Sequence, residues 1–443
     1  MTLRFGTDGV RGAANTELTP ELAMALGRAA AQTLGQGPWL VGRDTRASGP
    51  LLQASFAAGL ASEGADAVDL AVVPTPGVAH LCAADQVPGA MISASHNPFA
   101  DNGIKLFQTG GLKLDDQRQA EVEAALEAIE AEGIPGSPHR PGGPLVGSLR
   151  SAPDAWERYA VHLEDGVLEG RRLAGLRVVV DCAHGAASAV APRVLARLGA
   201  TVTVLHADPD GTNINDRCGS GHPETVQAAV VARGADVGLA FDGDADRVVM
   251  VDAAGELVDG DQILALLALD LRDQGLLHGG AIVVTVMTNL GFRQAMAAHG
   301  IEVVDTPVGD RHVLAALEER HLALGGEQSG HIILRDRTTT GDGLLTGISV
   351  LDAMVRTERP LAELAGVMTR LPQVLVNVPV ERSPDLLQRI APDVSRAEVA
   401  LAGRGRVLVR PSGTEPLVRV MVEAPTEDEA RQVAEELAAA LAP

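Results

Sequence analysis

The chain has 443 residues, 46% hydrophobic but only 2% aromatic, with 36 Lys+Arg against 58 Asp+Glu and a formal charge of −22. Aliphatic cores can therefore be large. Aromatic stacking on single strands and long-range attraction to a polyanion or an anionic membrane are both disfavoured, so neither nucleic acid nor membrane is expected as a partner. A small anionic substrate needs only a local positive pocket. Cys82, Cys182 and Cys218 form no CxxC pair and read as a reduced set. The first residues, Met1–Gly6, hold no signal-peptide apolar stretch, and no run reaches the roughly 18 apolar residues of a membrane span. A soluble, cytoplasmic protein is the expectation.

Short Val/Ile/Leu strands alternate with Ala/Leu-rich helices. Thr19 caps a helix that begins at Pro20 and runs to about Leu34. Strands are expected at Trp39–Val41, Ala67–Val72, Gly89–Ile92, Arg177–Val180, Thr201–Leu205, Val237–Phe241, Ala281–Val286 and Glu302–Val304. Near-continuous apolar strands between helices indicate mostly parallel sheets covered on both faces. Glu132–Gly147, rich in Pro and Gly, reads as a linker or long loop. After about Met368 the rhythm changes. Val374–Val380, Arg406–Val409 and Leu417–Val422 precede a helix opened by a Thr426/Glu429 capping box. The expected fold is α/β, with three tandem α/β domains of mostly parallel mixed sheets (1–150, 151–253, 254–367) and a smaller C-terminal α+β domain (368–443). No sequence repeat is evident among the first three.

Four loops carry chemistry. After Gly89–Ile92, the turn Ser93–Ala94–Ser95–His96–Asn97–Pro98 exposes hydroxyls at a strand end, where a serine can serve as nucleophile or phosphoryl carrier; taken alone it reads more readily as an ordinary capped turn. After Val237–Phe241, Asp242, Asp244 and Asp246 alternate with the small residues Gly243 and Ala245. Three like charges so close repel unless a cation sits among them, and hard oxygen donors suit Mg²⁺. An EF-hand is rejected, because Arg247 stands where the turn glycine belongs and Ala253 where the glutamate belongs. Gly325–His331 flanks Glu327 and Ser329 with glycines; it suits hydrogen bonds to vicinal sugar hydroxyls, or is a plain hairpin. Arg410–Pro416 with Arg419 combines hydroxyls, backbone N–H groups and two guanidinium forks, an anion nest suited to a phosphate monoester. It lacks the P-loop lysine, which disfavours nucleoside triphosphates. Thr7–Gly12 and Arg43–Arg46 lie in loops that could join the first site.

In this order, and along the whole chain from Phe5–Gly12 to Arg410–Thr414, the loops resemble the α-D-phosphohexomutase family. Ile92–Phe99 with Asp101–Lys105, Gly326–His331 and Asp208–Asp216 look like its phosphoglucosamine mutase branch. Gly221 departs from that pattern, where threonine is commoner, in a stretch with no catalytic part in the family. The resemblance implies four domains around a central cleft and conversion of glucosamine 6-phosphate to glucosamine 1-phosphate, an isomerase reaction feeding UDP-N-acetylglucosamine and cell-wall synthesis. It implies that Ser95 carries a phosphate, that Asp242, Asp244 and Asp246 hold Mg²⁺ with an oxygen at Ser95, and that Lys105 is the general acid/base. Arg11 and His96 join that catalytic group. Thr7, Glu327 and Ser329 would contact substrate, while Arg410, Ser412, Gly413, Thr414 and Arg419 would hold its non-reacting phosphate. A 1,6-bisphosphate of glucosamine, or of glucose, would be intermediate and primer.

A phosphoserine carries about −1.5 to −2 charges at pH 7, so an anionic sugar phosphate can approach it only where Mg²⁺ neutralises that charge. Lys105, near Mg²⁺ and Arg11, is expected to have a lowered pKa. A phosphosugar is the one partner expected, with a homodimer left open. A phosphoglucomutase/phosphomannomutase is the alternative, with Gln328 as discriminator. A non-catalytic sugar-phosphate sensor would have lost Ser95, Lys105 or an aspartate, and all are present.

Overall fold

The first helix begins as its cap requires. The Thr19 hydroxyl accepts from the Leu22 amide at 3.2 Å, and Pro20–Leu34 follows. Proline at this position gives up no intrahelical hydrogen bond. The structure, a computed structural model, describes residues 6, 9–132, 140–168, 170–380, 386–411 and 417–441. They divide into two compact units, one running to Val286 with Glu302–Ala365, the other made of Met287–Ile301 and the chain from Gly366.

The first unit holds three sheets. The first takes β1 (Val10–Ala13), β2 (Trp39–Arg43), β3 (Ala67–Val72), β4 (Gly89–Ile92), β5 (Asp101–Phe107) and β6 (Leu149–Ser151) in the order β1-β5-β4-β2-β3-β6. The second takes β7 (Arg177–Asp181), β8 (Thr201–Leu205), β9 (Val237–Phe241), β10 (Val248–Asp252) and β11 (Leu257–Val258) in the order β11-β10-β9-β7-β8. The third takes β12 (Ala281–Thr285), β13 (Glu302–Thr306), β14 (Leu324–Gly326) and β15 (Ile332–Leu334) in the order β13-β12-β14-β15.

One arrangement recurs in all three. A strand parallel to its inner neighbour turns back into an antiparallel partner: β4 into β5, β9 into β10, β14 into β15. The serine turn, the aspartate loop and the Glu327 loop are those three turns. Each lies at the carboxyl end of a strand within a parallel set, where α/β sheets bind ligands. No sequence repeat announces this, because the repetition is of topology rather than of residues.

The cores are aliphatic, as the composition requires. In the first core Trp39 stands edge-on to Phe56, ring centroids 6.1 Å apart. Beneath the third sheet, Asp342 caps the helix Gly343–Thr357 through the Leu345 amide and accepts the Tyr159 hydroxyl at 2.8 Å. Burial, only partly offset by these donors, lifts its carboxyl from 3.8 to about 6. Such a lift costs the ionised form about 3 kcal/mol. A raised folded-state pKa means that the folded chain takes up the proton first, so this group favours folding at low pH and loses that contribution as pH rises from about 4 to about 6. Asparagine keeps the cap and the tyrosine contact without the charge. Asp342→Asn is therefore expected to gain stability relative to the parent over that window, by up to about 3 kcal/mol, in denaturant unfolding followed at several pH values. A difference independent of pH would contradict it.

The second unit is an antiparallel sheet of β16 (Gln373–Pro379), β17 (Arg406–Pro411) and β18 (Leu417–Glu423), with β18 central. Two helices, Leu386–Leu401 and Glu427–Leu441, pack on it, and the Glu429 amide donates to the Thr426 hydroxyl as the capping box requires. The helix Leu290–Ala298 belongs to the same unit. Buried Glu423 accepts from the Leu290 amide, from Gln373 and from Arg406. Among the described residues no helix is long and apolar enough to cross a membrane.

Candidate functional site

The serine turn is held from within and from outside. The Ser95 amide donates to the Ser93 hydroxyl at 2.9 Å, and Ser93 in turn donates to Asp44 at 2.6 Å. Ser95 sits in the left-handed region at φ 52°, a conformation a non-glycine residue keeps only where its surroundings impose it. Arg46 imposes it. Fully buried, its guanidinium pairs with Asp44 through Nε and donates to four carbonyls of the turn, those of Ser95, Asn97, Pro98 and Asp101. Asn215, from the loop after β8, also donates to the Ser95 and Asn97 carbonyls, at 2.9 and 3.0 Å. The Ser95 hydroxyl is thereby aimed at Asp242, to which it donates at 2.5 Å.

Asp242, Asp244 and Asp246 are buried, and one oxygen of each lies within 4.8 Å of the others. Burial, with Asp246 and Asp244 beside it, pushes the Asp242 carboxyl well above the carboxylate range. Asp246 is held well below it, because Lys105 and His331 outweigh burial. Asp244 is also held low, against burial and Asp246, by Lys105 and by the Thr75 hydroxyl, which donates to it at 2.5 Å. Asp244 Oδ1 and Asp246 Oδ1 are buried with no hydrogen-bond partner. Buried carboxylate oxygens left without a partner are costly unless a cation takes them. This all-oxygen donor set fits Mg²⁺.

Lys105 lies on β5, opposite Met91 of β4, and its ammonium reaches Asp244 at 2.8 Å and Asp246 at 3.2 Å. Here the expected lowering of its pKa is reversed. Burial alone would lower it, but the two carboxylates outweigh burial and Arg11 and hold the ammonium above its ordinary value. Arg11 on β1 donates to the Ala94 carbonyl at 3.4 Å and feels the charge of all three aspartates. His96 Nδ1 is 3.4 Å from the Ser95 hydroxyl and 3.2 Å from Arg247. Burial, then Arg247 and Arg11, pull its pKa down to about 4, so the ring is neutral at neutral pH.

Backbone bonds tie the aspartate loop to the N-terminal ends of three helices, Ala187–Arg197, Thr75–Asp85 and Gly343–Thr357. The Gly243 carbonyl accepts from Ala186, the Asp244 carbonyl from Thr75 and the Ala245 carbonyl from Gly343, at 2.8–3.1 Å. The Glu327 loop is tied in through Val248 N to the Gly330 carbonyl at 3.1 Å. Gly330 has φ +90°, and a Cβ there would stand 2.1 Å from the Val248 carbonyl, so only glycine fits. Glu327 accepts from the Gly309 amide and, after Asp246 and Asp242, helps hold the Arg247 pKa up against burial. Ser329 is exposed on the same loop.

In the second unit, Arg410 and Arg419 face each other across β17 and β18. Burial and Arg419 lower the Arg410 pKa. Like charges opposed on adjacent strands are unfavourable unless an anion lies between them. Thr7, Ser412, Gly413 and Thr414 lie outside the described residues.

The structure thus gathers Ser95, Lys105, Arg11, His96 and the three aspartates, and adds residues that sequence reasoning left out. Arg247 contacts His96 and feels the charge of Glu327. His331, buried, lies 3.7 Å from Asp246 and 3.5 Å from Asp310, with the Gly341 amide donating to its Nε2. Both were visible as the last residues of loops already singled out. Arg46 stood in Arg43–Arg46, a loop already expected to join the first site, and Asn215 in the stretch Asp208–Asp216 that carries the resemblance, but neither had been given a role.

The four domains of the phosphoglucomutase/phosphomannomutase family match in order: α/β/α domain I at residues 2–133, domain II at 157–255, domain III at 259–371 and the C-terminal domain at 375–440. The phosphoglucosamine mutase of Salinispora arenicola is 53% identical over 98% of this chain and 97% of its own. That of Moorella thermoacetica is 53% identical over 97% of both. Among solved structures, a phosphoglucomutase/phosphomannomutase family protein of Burkholderia thailandensis superposes with a TM-score of 0.80 at 26% identity, covering 98% of this chain and 96% of that one. The N-acetylphosphoglucosamine mutase of Aspergillus fumigatus, solved with GlcNAc-6P and magnesium, shares the fold with a TM-score of 0.71 at 20% identity, covering 100% and 96%. With every domain matched and such likeness over nearly the full length, the chain belongs to the phosphoglucomutase/phosphomannomutase family, in its phosphoglucosamine mutase branch, and is an isomerase that works by phosphoryl transfer.

Proposed function

We propose that this chain interconverts glucosamine 6-phosphate and glucosamine 1-phosphate through a phosphate carried on Ser95 and a glucosamine 1,6-bisphosphate intermediate. The Ser95 hydroxyl, aimed at Asp242 at 2.5 Å, carries the proposal. In the first half-reaction the bond from phosphorus to Ser95 Oγ breaks and one to a sugar hydroxyl oxygen forms. That hydroxyl loses its proton, and Oγ gains one if it leaves as the free serine. After the bisphosphate turns, the opposite transfer restores the carrier. Mg²⁺ on Asp242, Asp244 and Asp246 would supply the positive charge that lets one phosphate approach another.

Lys105 Nζ is the proton carrier in this scheme. While Asp244 and Asp246 face it unshared, it stays an ammonium and can only donate. With those carboxylates committed to a cation, burial governs its pKa and lets Nζ exchange a proton in both directions. Arg11 and neutral His96 flank Ser95, Glu327 and Ser329 select sugar hydroxyls, and Arg410 and Arg419 take the phosphate that does not react. Thr7, Ser412, Gly413 and Thr414 are assigned to substrate on their motifs.

The test is turnover of glucosamine, glucose and mannose 6-phosphates, each with a 1,6-bisphosphate primer. Glucosamine 6-phosphate is expected to be preferred. A preference for glucose or mannose on the order of tenfold, about 1.4 kcal/mol in the transition state, would make the chain a phosphoglucomutase/phosphomannomutase instead.

A further inference from the structure

We infer that Asp181, His206 and Cys218 form a second metal site, suited to a borderline-soft divalent cation such as Zn²⁺ and distinct from the aspartate triad. Asp181 ends β7, and His206 follows β8 immediately; these strands pair in parallel, Asp181 opposite Leu205. Cys218 arrives on the loop after β8. One ligand atom of each residue lies within 4.8 Å of the other two, and His206 Nδ1 is 2.9 Å from Asp181 Oδ2.

The donor chemistry selects the cation. A thiolate and an imidazole suit zinc and disfavour Mg²⁺, which prefers oxygen. Thiolate plus carboxylate balances a divalent charge. The surroundings are arranged as a metal site requires. Asp181 Oδ1 is occupied by the Ala183 amide at 2.9 Å, which fixes the carboxylate and leaves Oδ2 facing the imidazole. The His206 ring stands edge-on to His184, centroids 5.3 Å apart. Asp181 and Cys218 are buried while His206 is partly exposed, and Cys218 lines a cavity shared with His96, Asn215 and His222. That cavity gives Cys218 an open side.

An ordinary cysteine is a neutral thiol at neutral pH. A bound cation must displace that proton, so binding releases it and tightens as pH rises. The site also reaches the serine turn. Asn215, three residues before Cys218, donates to the Ser95 carbonyl, and the His184 carbonyl accepts the Thr45 hydroxyl at 2.6 Å. A metal here would pin the loop that holds Ser95.

The test uses the full chain, stripped by chelation and kept in excess Mg²⁺, then titrated with Co²⁺ as a spectroscopic stand-in for zinc. The expected result is a saturable thiolate-to-cobalt band in the near ultraviolet, bleached by Zn²⁺. Cys218→Ser should abolish the band, and His206→Gln should weaken cobalt binding by about tenfold or more. Cys182→Ser and Asp242→Ala should keep it. No band from the parent in several-fold excess Co²⁺, or a band surviving Cys218→Ser, overturns the proposal. Proton release on adding Zn²⁺ to the parent needs no variant: about one proton per chain supports the site, and none refutes it.

Discussion

Ser95→Ala is expected to fold and to turn over less than about one part in 10⁴ of its parent. In the proposed cycle the substrate receives its second phosphate from this residue and from nowhere else, so no other group can substitute for the missing oxygen. The fold should tolerate the change. What is lost is one hydroxyl donated to Asp242, a carboxyl already pushed toward its neutral form by burial and by its neighbours. Alanine meets the same left-handed backbone that serine meets. Intact-mass spectrometry supplies a readout independent of turnover: an added phosphate on the parent, absent from the variant. Near-parental activity in Ser95→Ala, or a phosphate that persists in it, would falsify the carrier role.

Arg46→Lys is expected to lower kcat by about 10²-fold while changing KM little. Arg46 meets none of the residues assigned to the sugar. It fixes the turn by donating to four carbonyls that no single ammonium can reach together. Lysine preserves the charge opposite buried Asp44, so stability should fall modestly. Arg46→Ala strands that carboxylate and should cost about 3–5 kcal/mol. A purely structural residue would show its effect in unfolding alone. A positioning residue shows it in kcat of the folded lysine variant, measured well below its melting temperature. Parental kcat in Arg46→Lys would reject this role.

Much of the site was legible because its loops sit at strand ends and mix glycine with hydroxyls or carboxylates. The strands before them, Gly89–Ile92 and Val237–Phe241, were readable from unbroken apolar runs. The strands after them were harder. Asp101–Phe107 carries Asp, Asn and Lys through a mostly buried strand. Nothing local explains a buried lysine there; the carboxylates that accept it come from another sheet, 139 and 141 positions on. The same distance hid the sign of its pKa shift, because a nearby Mg²⁺ and Arg11 were weighed while two unshared carboxylates were not. Arg46 was visible only as one charge in a loop rich in them. Its partners lie 49–55 residues away, beyond any reading of periodicity.

The backbone bonds that tie the aspartate loop to Ala186, Thr75 and Gly343 have a consequence for how the bisphosphate turns. Freeing that loop means breaking bonds to the starts of three different helices. The smallest opening available to it is a collective one, far costlier than a local fluctuation. In the proposed cycle, an intermediate that presents each of its ends to the Ser95 oxygen would therefore swivel above a stationary floor.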